Sequence, residues 1–166
     1  PSPLKKKSSA REATPKRKSA AKRKGSSDTK IPEILSEQDY LRILMENIPD
    51  AIFFKDRESR FLMVNKGCAK KFGLEKPEDA RGKSDFDIFT IEHAEQAYED
   101  EQRVLRTGKP IVGKEEKETW QNRPDSWVST TKMPLRDKSG NIVGTFGLTR
   151  DISILRHYRE ALREAN

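Results

Sequence analysis

The fold is decided by Trp127-Val-Ser-Thr-Thr-Lys-Met-Pro-Leu-Arg-Asp137 and by Gly140-Asn-Ile-Val-Gly-Thr-Phe-Gly-Leu-Thr-Arg-Asp-Ile-Ser153, which follows it. Both segments are rich in β-branched and aromatic residues, and the turn between them is polar and contains glycine, so they predict strands at 127–135 and 141–150. A similar segment at 111–120 precedes them. The sequence therefore predicts a three-stranded antiparallel meander.

Two further strands are predicted earlier in the chain, at 51–55 and 60–65, where apolar residues flank a polar turn. Asn65 is a suitable cap for a short helix, and Thr90 is a suitable cap for a longer helix to about Arg106. We therefore expect an α+β fold, in which helices cover one face of a five-stranded antiparallel sheet. A small-molecule pocket is expected between the helices and the sheet.

Helices are also predicted on both sides of this unit. Ser36 is a suitable cap for a helix that Pro49 ends. After Ser153, apolar residues recur at the spacing of one helix face, so an amphipathic helix should project from the domain or pair with another chain. We divide the chain into a disordered basic tail at 1–30, an N-terminal helix at 31–49, a domain at 50–153 and the start of a C-terminal signalling helix or coiled coil at 154–166.

The positive charge of the chain is concentrated near its N-terminus. Lys and Arg total 34 against 27 for Asp and Glu, which gives a net charge of +7. The first 30 residues carry eleven basic and two acidic side chains, so the remainder has a charge of −2. Because this tail has no aromatic residue and only Leu4 as a large apolar one, it should not fold alone. It could contact nucleic acid or an anionic membrane, or serve only as a solubilising linker.

The sequence lacks features that direct a protein out of the cytoplasm. Cys68 is the only cysteine, so no internal disulfide is expected. No apolar run is longer than Phe61-Leu-Met-Val64, which is far shorter than the roughly 20 residues that span a bilayer. No apolar stretch follows the basic N-terminus, as it would in a secretory signal. We therefore expect a cytoplasmic location and no membrane span.

Four further segments precede the meander in a recognisable order: Asn47-Ile-Pro-Asp-Ala-Ile-Phe-Phe-Lys-Asp56, Arg60-Phe-Leu-Met-Val-Asn65, Arg81-Gly-Lys-Ser-Asp-Phe-Asp-Ile-Phe89 and Val104-Leu-Arg-Thr-Gly-Lys-Pro110. Together with the meander, they resemble a PAS domain, the sensor module of bacterial signal-transduction proteins such as sensor histidine kinases. The resemblance covers about residues 36–153. Each segment alone is a weak signal, but their common order makes chance agreement improbable.

The resemblance implies a module that senses a ligand, cofactor or partner, forms a homodimer, and passes the signal to its C-terminal helix. Asp151-Ile152-Ser153 resembles the Asp-Ile-Thr junction that ends such domains, with the serine hydroxyl as the expected cap. The sequence has neither a histidine-kinase phosphoacceptor motif nor a cyclase motif, so the effector is expected outside this chain. No catalytic residue and no metal site is predicted.

Six residues are candidates for the ligand pocket: Lys55, His93, Trp127, Ser129, Thr131 and Lys132. The hydroxyls and the indole share one face of a predicted strand, while the amines and the imidazole could bind an anionic group. In the alternative interpretation, Trp127 packs in the core, the hydroxyls reflect strand propensity, and the charges form a solvated edge. The pattern does not identify a ligand.

Two cofactors of such domains are disfavoured by the sequence. Haem-binding relatives use a histidine on the long middle helix, but His93 lies about one turn too early for that ligand. Flavin-binding relatives use Asn-Cys-Arg-Phe-Leu-Gln, whereas Asn65-Lys-Gly-Cys68 places the thiol on another element. We expect His93 to form hydrogen bonds near Asp85 or Asp87. We expect Cys68 to be a small buried side chain.

Two functions therefore remain open from the sequence. The first is a sensory and dimerisation module that couples ligand or partner binding to a C-terminal helical output. The alternative is a ligand-free scaffold for protein interaction, with a basic tail that contacts nucleic acid.

Overall fold

The computed structural model describes residues 35–166. The basic tail predicted at 1–30 lies outside the described residues. The described part contains four α-helices and five strands, with bounds as follows: α1 Glu37–Asn47, β1 Ala51–Asp56, β2 Phe61–Val64, α2 Lys66–Phe72, α3 Ile91–Thr107, β3 Ile111–Glu118, β4 Ser126–Arg136, β5 Ile142–Asp151 and α4 Ser153–Ala165. Two 3₁₀ turns, Pro77–Ala80 and Asp85–Asp87, connect α2 to α3.

The five strands form one antiparallel sheet in the order β2-β1-β5-β4-β3. The hairpin of β1 and β2 and the meander of β3, β4 and β5 are joined where β1 pairs with β5, with Phe53 opposite Gly147. Thr130 of β4 lies opposite Thr149 of β5. The predicted α+β fold with a five-stranded antiparallel sheet is confirmed.

Polar caps fix where the helices begin. Ser36 and Asp39 form a capping box at α1, in which each residue accepts a hydrogen bond from the other's backbone amide. The Asn65 side chain accepts from the Cys68 amide at the start of α2, and Thr90 accepts from the His93 amide at the start of α3. These caps place the helix starts where the sequence predicts them.

The core lies on the sheet face that α2, the 3₁₀ turns and α3 cover. Its apolar residues include Phe53, Phe61, Val64, Cys68 and Ala69. From α3, the stripe Ala94, Ala97, Val104 and Leu105 is buried against the sheet. The inward side chains of β1 and β4 alternate with outward ones, so each strand contributes every second residue to this space.

The helices at the two ends of the described region leave apolar side chains in solvent. Tyr40 and Leu44 of α1 are exposed, as are Leu155, Tyr158 and Leu162 of α4, the last with 65% of its surface accessible. None of the helices within residues 35–166 is both long enough and apolar enough to span a membrane.

Candidate functional site

Four charged side chains form a continuous ionic network in the interior. The Nζ atom of Lys55 lies 2.6 Å from Oδ2 of Asp85 and 2.6 Å from Oε1 of Glu101. The same Glu101 oxygen accepts from Lys132 Nζ at 3.0 Å, and Lys132 also donates to the carbonyl of Ala97 at 3.2 Å. Because all four residues are buried, the network links β1, the second 3₁₀ turn, α3 and β4 away from bulk water.

Local structure explains why these residues meet. Lys55 and Lys132 occupy inward positions of β1 and β4, where an apolar side chain would be usual. Glu101 lies within the buried stripe of α3, four residues after Ala97 and three before Val104. Asp85 begins the 3₁₀ turn that packs beside them. The network therefore replaces part of the core with paired charges.

Mutual attraction keeps the network ionised. Burial alone would raise the pKa of Glu101, but the positive charges of Lys55 and Lys132 lower it to about 2. Burial would lower the pKa of Lys55, but Asp85 and Glu101 raise it above its ordinary value. Lys55 and Glu101 are therefore held as an ion pair at neutral pH.

Hydrogen bonding in the network is incomplete. Among the described residues around the network, Glu101 Oε2, Ser59 Oγ and Thr130 Oγ1 are buried without a hydrogen bond of normal length and angle, although the Ser59 hydroxyl is close enough to Glu101 to help lower the pKa of its carboxyl. Glu101 is fully inaccessible to solvent. An unpaired buried oxygen costs about 1–3 kcal/mol, so these atoms favour a water molecule or a ligand group that donates to them.

A cavity of about 30 Å³ lies against the network. We call it the inner cavity; its polar lining includes Lys55, Asp85, His93, Glu101, Thr130 and Lys132. Its volume accommodates about one water molecule. A larger ligand could enter only if one of the ion-paired side chains moved.

A second polar cluster borders the inner cavity at the β3 side. Glu118 pairs with Lys71 at 2.9 Å and accepts from the Ser126 hydroxyl at 3.2 Å. Burial raises the pKa of the Glu118 carboxyl, although the neighbouring Lys71 charge opposes this effect. The imidazole of His93 packs against the Phe89 ring, with the ring centres 4.5 Å apart.

The expected hydrogen bond between His93 and a neighbouring aspartate is replaced by other pairings. Asp85 pairs with Lys55, and Asp87 accepts from the backbone amide of Ser84 at 2.8 Å. His93 instead lines the inner cavity through its packing against Phe89.

The structure separates the six residues predicted for the pocket into two groups. Lys55, His93 and Lys132 line the inner cavity. Trp127, Ser129 and Thr131 lie on the opposite face of β4, because the buried, cavity-facing series of this strand is the alternate one that contains Thr130. Their prediction as lining residues is corrected. In this structure Asp85 and Glu101 pair with the two lysines, so a role of the lysines toward an anionic ligand stays a prediction.

Glu101, Asp85 and Thr130 are site residues that sequence reasoning missed. The signal for Glu101 was an acid on the apolar stripe of α3, where a second buried acid, Asp100, precedes it. Thr130 was visible in the sequence, but β4 carries polar side chains on both faces, so periodicity alone did not distinguish the inner face from the outer one.

The predicted junction connects β4 with the start of α4. The Ile152 amide donates to the Trp127 carbonyl at 2.8 Å, and the Trp127 amide donates to Ser153 Oγ at 3.1 Å. The Arg156 guanidinium lies 3.5 Å from the centre of the Trp127 ring. The Ser153 hydroxyl therefore bonds to the strand and is not the helix cap that the sequence suggested. The carboxylate of Asp151 accepts from the Ser153 amide instead, at 2.8 Å.

The lone cysteine is poorly suited to thiol chemistry. Cys68 is fully buried, and burial raises the pKa of its thiol to about 12. The reactive thiolate is therefore scarce at neutral pH. Within residues 35–166, no cluster of three or more His, Cys, Asp and Glu side chains is arranged to hold a metal ion.

Comparisons with known proteins show relatives that are sensor proteins and solved structures of the same fold. The chain is 33% identical over 121 residues to the methanogenesis regulatory histidine kinase FilI of Methanothrix harundinacea, covering 72% of this chain and 13% of that protein. It is 24% identical over 133 residues to the aerobic respiration control sensor protein ArcB of Escherichia coli K12, covering 78% of this chain and 16% of ArcB. It therefore spans less than a fifth of the length of these relatives.

A solved structure of the Vibrio cholerae VqmA dimer is also similar. The two structures superpose with a TM-score of 0.61 at 26% sequence identity, over 70% of this chain and 51% of the VqmA chain. VqmA is described as a DNA-binding receptor of the LuxR type. VqmA has also been solved bound to DPO. Residues 45–157 match the sequence profile of the PAS fold family. The chain therefore belongs to the PAS fold family and is related to the sensor histidine kinases.

Proposed function

We propose that this chain is the sensory module of a signal-transduction protein, and that the packing around its inner cavity controls the position of α4. The observation that carries this proposal is the buried network of Lys55, Asp85, Glu101 and Lys132. The network joins β4 to β1, to the second 3₁₀ turn and to α3. The first residues of β4, in turn, hold the start of α4. The module transmits a change in packing and carries out no chemical reaction.

The proposed signal is a rearrangement of the ionic network. Because the inner cavity has room for about one water molecule, a ligand that enters must displace the side chain of Lys55 or Lys132 from Glu101. A displaced lysine requires a new acceptor, and the Glu101 oxygen that loses the lysine requires a new donor. A ligand that supplies both would favour the rearranged packing over the present one and would shift the population between them.

The route to the output passes along β4. Lys132 contacts α3 from the inner face of this strand. Trp127, near the beginning of the same strand, contacts Ser153 and Arg156 of α4. A shift of β4 relative to α3 would therefore change the contacts that fix the first turn of α4. An effector that responds to this helix lies in another part of the protein or in a partner chain.

The proposed module works as a homodimer. Leu155, Tyr158, Leu162 and Ala165 follow one another at intervals of three and four residues along α4, which is the spacing of a coiled-coil seam. The three large residues of this seam are exposed. VqmA, which shares the fold, is a dimer. Light scattering should show a dimer for the full chain and a monomer for Leu155→Asp/Leu162→Asp, while Arg156→Gln/Glu160→Gln, which lies outside the seam, should remain dimeric.

The test of ligand binding uses the full chain purified from cells under native conditions. We expect denaturation to release a small molecule that mass spectrometry detects in stoichiometric amount. Lys132→Met should release less of it, whereas Lys114→Met, which removes a partly exposed lysine outside the network, should release as much as the native protein. Release of nothing, or equal release by both variants, would contradict a ligand site at the network.

A second candidate function is a scaffold that binds no ligand, and the small volume of the inner cavity favours it. In this function the basic tail contacts nucleic acid. The related VqmA, which has a target DNA, supports a nucleic-acid role for a protein of this fold. Binding of DNA by the full chain should then weaken steeply with salt and disappear when residues 1–30 are removed. Equal binding by the truncated chain would refute this role.

A further inference from the structure

Three large apolar side chains near the N-terminal half of α3 are exposed to solvent. Phe86, in the second 3₁₀ turn, has 45% of its surface accessible, and Ile91 and Tyr98 of α3 have 64% and 42%. Phe86 and Tyr98 border one groove, which we call the α3 groove; Ala94 and residues 58–60 and 84–85 complete its lining. Exposed apolar residues that border one groove are typical of an interaction site.

The α3 groove has the size of one large side chain. Its volume is about 150 Å³. A cavity of about this size holds a molecule as large as benzene, so the groove accommodates the ring of one phenylalanine. A protein partner that inserted such a side chain would place it between Phe86 and Tyr98. Buried aromatic anchors supply much of the binding energy of protein interfaces.

Hydrogen bonds fix the backbone that presents Phe86. The amide of Ser84 donates to the Asp87 carboxylate at 2.8 Å, and the Phe86 carbonyl accepts from the side chain of Gln121 at 3.1 Å. The exposure of Phe86 is therefore a property of a hydrogen-bonded turn and not of a frayed segment. A groove that is formed before its partner binds loses little conformational entropy on binding.

A row of carboxylates runs along α3 beside the groove. Glu92, Glu95 and Glu99 are exposed and follow one another at intervals of three and four residues, so they lie along one side of the helix. None of the ion pairs within residues 35–166 involves these three carboxylates. From the turn between β1 and β2, Glu58 pairs with Arg60 at 3.3 Å. The uncompensated charge along this part of α3 is therefore negative.

The positive charges of α3 lie further along the helix. Arg103 and Arg106 are near its C-terminal end, and Arg103 pairs with Asp100 at 3.1 Å. A segment that lies along the groove therefore meets acidic side chains at the N-terminal half of α3. Lys or Arg next to the apolar anchor of a partner would complement this surface, whereas Asp or Glu there would be repelled.

We infer that the α3 groove docks a basic amphipathic helix of a partner protein, which inserts one large apolar side chain between Phe86 and Tyr98. Basic side chains spaced at three and four residues on that helix would face the carboxylates of α3, because both helices rise by about 1.5 Å per residue. The groove is separate from the inner cavity and from the exposed seam of α4. Its occupant would lie against Asp85, which pairs with Lys55, so docking gives the partner a contact with the ionic network.

The experiment titrates the full ¹⁵N-labelled chain with a synthetic probe and follows the backbone amide shifts by NMR. The probe is an acetylated, alanine-based helical peptide of about 16 residues, with one phenylalanine and three lysines at intervals of three and four residues on the same face. We expect saturable shifts at Phe86, Glu95 and Tyr98. Replacing the phenylalanine of the peptide with alanine should weaken binding about tenfold. Replacing its lysines with glutamates should abolish the shifts.

The apolar part of the groove is tested by removing its rings. Phe86→Ala and Tyr98→Ala should each weaken binding of the lysine peptide about tenfold. Val112→Ala is the matched control, because it shortens an exposed apolar side chain on β3, outside the groove, and it should leave binding unchanged. Unchanged amide shifts in β1 would show that each variant remains folded.

The acidic row is tested by removing two of its charges. Glu95→Gln/Glu99→Gln should weaken binding of the lysine peptide about fivefold. Glu75→Gln/Glu78→Gln removes two exposed acids that do not line the groove, and it should have no effect.

The inference is overturned if the lysine peptide causes no saturable shift at Phe86 and Tyr98, if the glutamate peptide binds as tightly, or if neither ring variant weakens binding. Equal weakening by the two double variants would show that any acidic surface attracts the peptide, which also contradicts a defined site. Shifts at the same amides when the chain alone is concentrated would assign the groove to a second copy of the chain and would overturn the inference as well.

Discussion

Lys55 Nζ and Glu101 Oε1 lie 2.6 Å apart in the interior of the domain, although the two residues are separated by 46 positions in the sequence. Lys55 belongs to a strand of the hairpin and Glu101 to the long helix that covers the sheet. Breaking one member of a buried ion pair leaves the other charge without compensation, which is far more costly than losing a pair at the surface. This contact therefore connects the stability of the domain to the geometry of its candidate site.

Glu101→Gln should strongly destabilise the fold. The substitution preserves the shape of the side chain but leaves Lys55 and Lys132 facing a neutral amide in a buried position. We expect the free energy of unfolding to fall by about 3 kcal/mol, measured by urea denaturation.

A surface pair provides the matched control for this change. Glu160→Gln removes the carboxylate that lies 3.3 Å from Arg156 on the exposed side of α4. Its effect on the free energy of unfolding should be about 0.5 kcal/mol or less. Equal losses in the two variants would mean that the buried network contributes no more than a surface ion pair.

The contribution of Glu101 to stability should disappear in acid. Its carboxyl has a pKa of about 2 in the folded chain, below the usual 4.5, so the folded state binds its proton less readily than the unfolded state does. A carboxyl whose pKa is lowered by folding stabilises the folded state at pH values above the pKa that it has in the unfolded chain. This stabilisation is lost as the pH falls toward the pKa of the folded chain. The difference in unfolding free energy between the native chain and Glu101→Gln should therefore be constant above about pH 5 and shrink toward pH 2. A difference that stays the same across this interval would show that Glu101 is not held ionised by the lysines.

Gly147 should tolerate no side chain. A Cβ atom at this position of β5 would overlap the carbonyl oxygen of Thr131 on the neighbouring strand, which also carries Lys132. We expect Gly147→Ala to lower the free energy of unfolding by about 3 kcal/mol or more.

The comparison for this substitution is Gly140→Ala in the turn between β4 and β5. Gly140 has a φ of 86° but no atom within 4 Å of the position of a Cβ, so only backbone strain opposes the change. The expected loss is about 1 kcal/mol. A smaller loss at Gly147 than at Gly140 would contradict the close packing of β4 against β5.

Trp127→Ala should loosen the start of α4 without unfolding the sheet. The substitution removes the ring that lies 3.5 Å beneath the Arg156 guanidinium, whereas the backbone bonds from Trp127 to Ile152 and Ser153 remain available. Hydrogen exchange should become several-fold faster in the first turn of α4 and stay unchanged in β1. Unchanged exchange in α4 would show that the indole does not hold this helix.

The order of elements could be predicted from the sequence because local signals and burial agree along most of the chain. The capping residues Ser36, Asn65 and Thr90 determine helix starts through their own side chains, and alternation identifies the strands. The sequence could not decide which face of β4 lines the cavity, because the apolar Trp127 ring packs under Arg156 on the outer face. Lys132, on the inner face, is a charged residue that sequence patterns would place in solvent.

The ionic network itself could not be predicted in full. Lys55, Asp85, Glu101 and Lys132 come from four separate elements, and only the tertiary packing brings them together. With 37% charged residues in the chain, a pairing of two particular acids and two particular lysines has no distinctive sequence signal. Burial of both lysines is what distinguishes the site, and burial is a property of the fold.

Hydrogen exchange in the first turn of α4 tests the central claim most directly, by comparing the native chain with the double variant Glu101→Gln/Lys132→Met. This variant removes one charge of each sign and leaves the Lys55 pair with Asp85 in place, so the interior stays electrically balanced. If the network controls α4, exchange in Ser153–Tyr158 should become several-fold faster, while the same loss of an exposed pair in Arg42→Gln/Glu46→Gln should have no effect there. Faster exchange in β4 and α3 with unchanged exchange in α4 would contradict the claim that the network communicates with the helix.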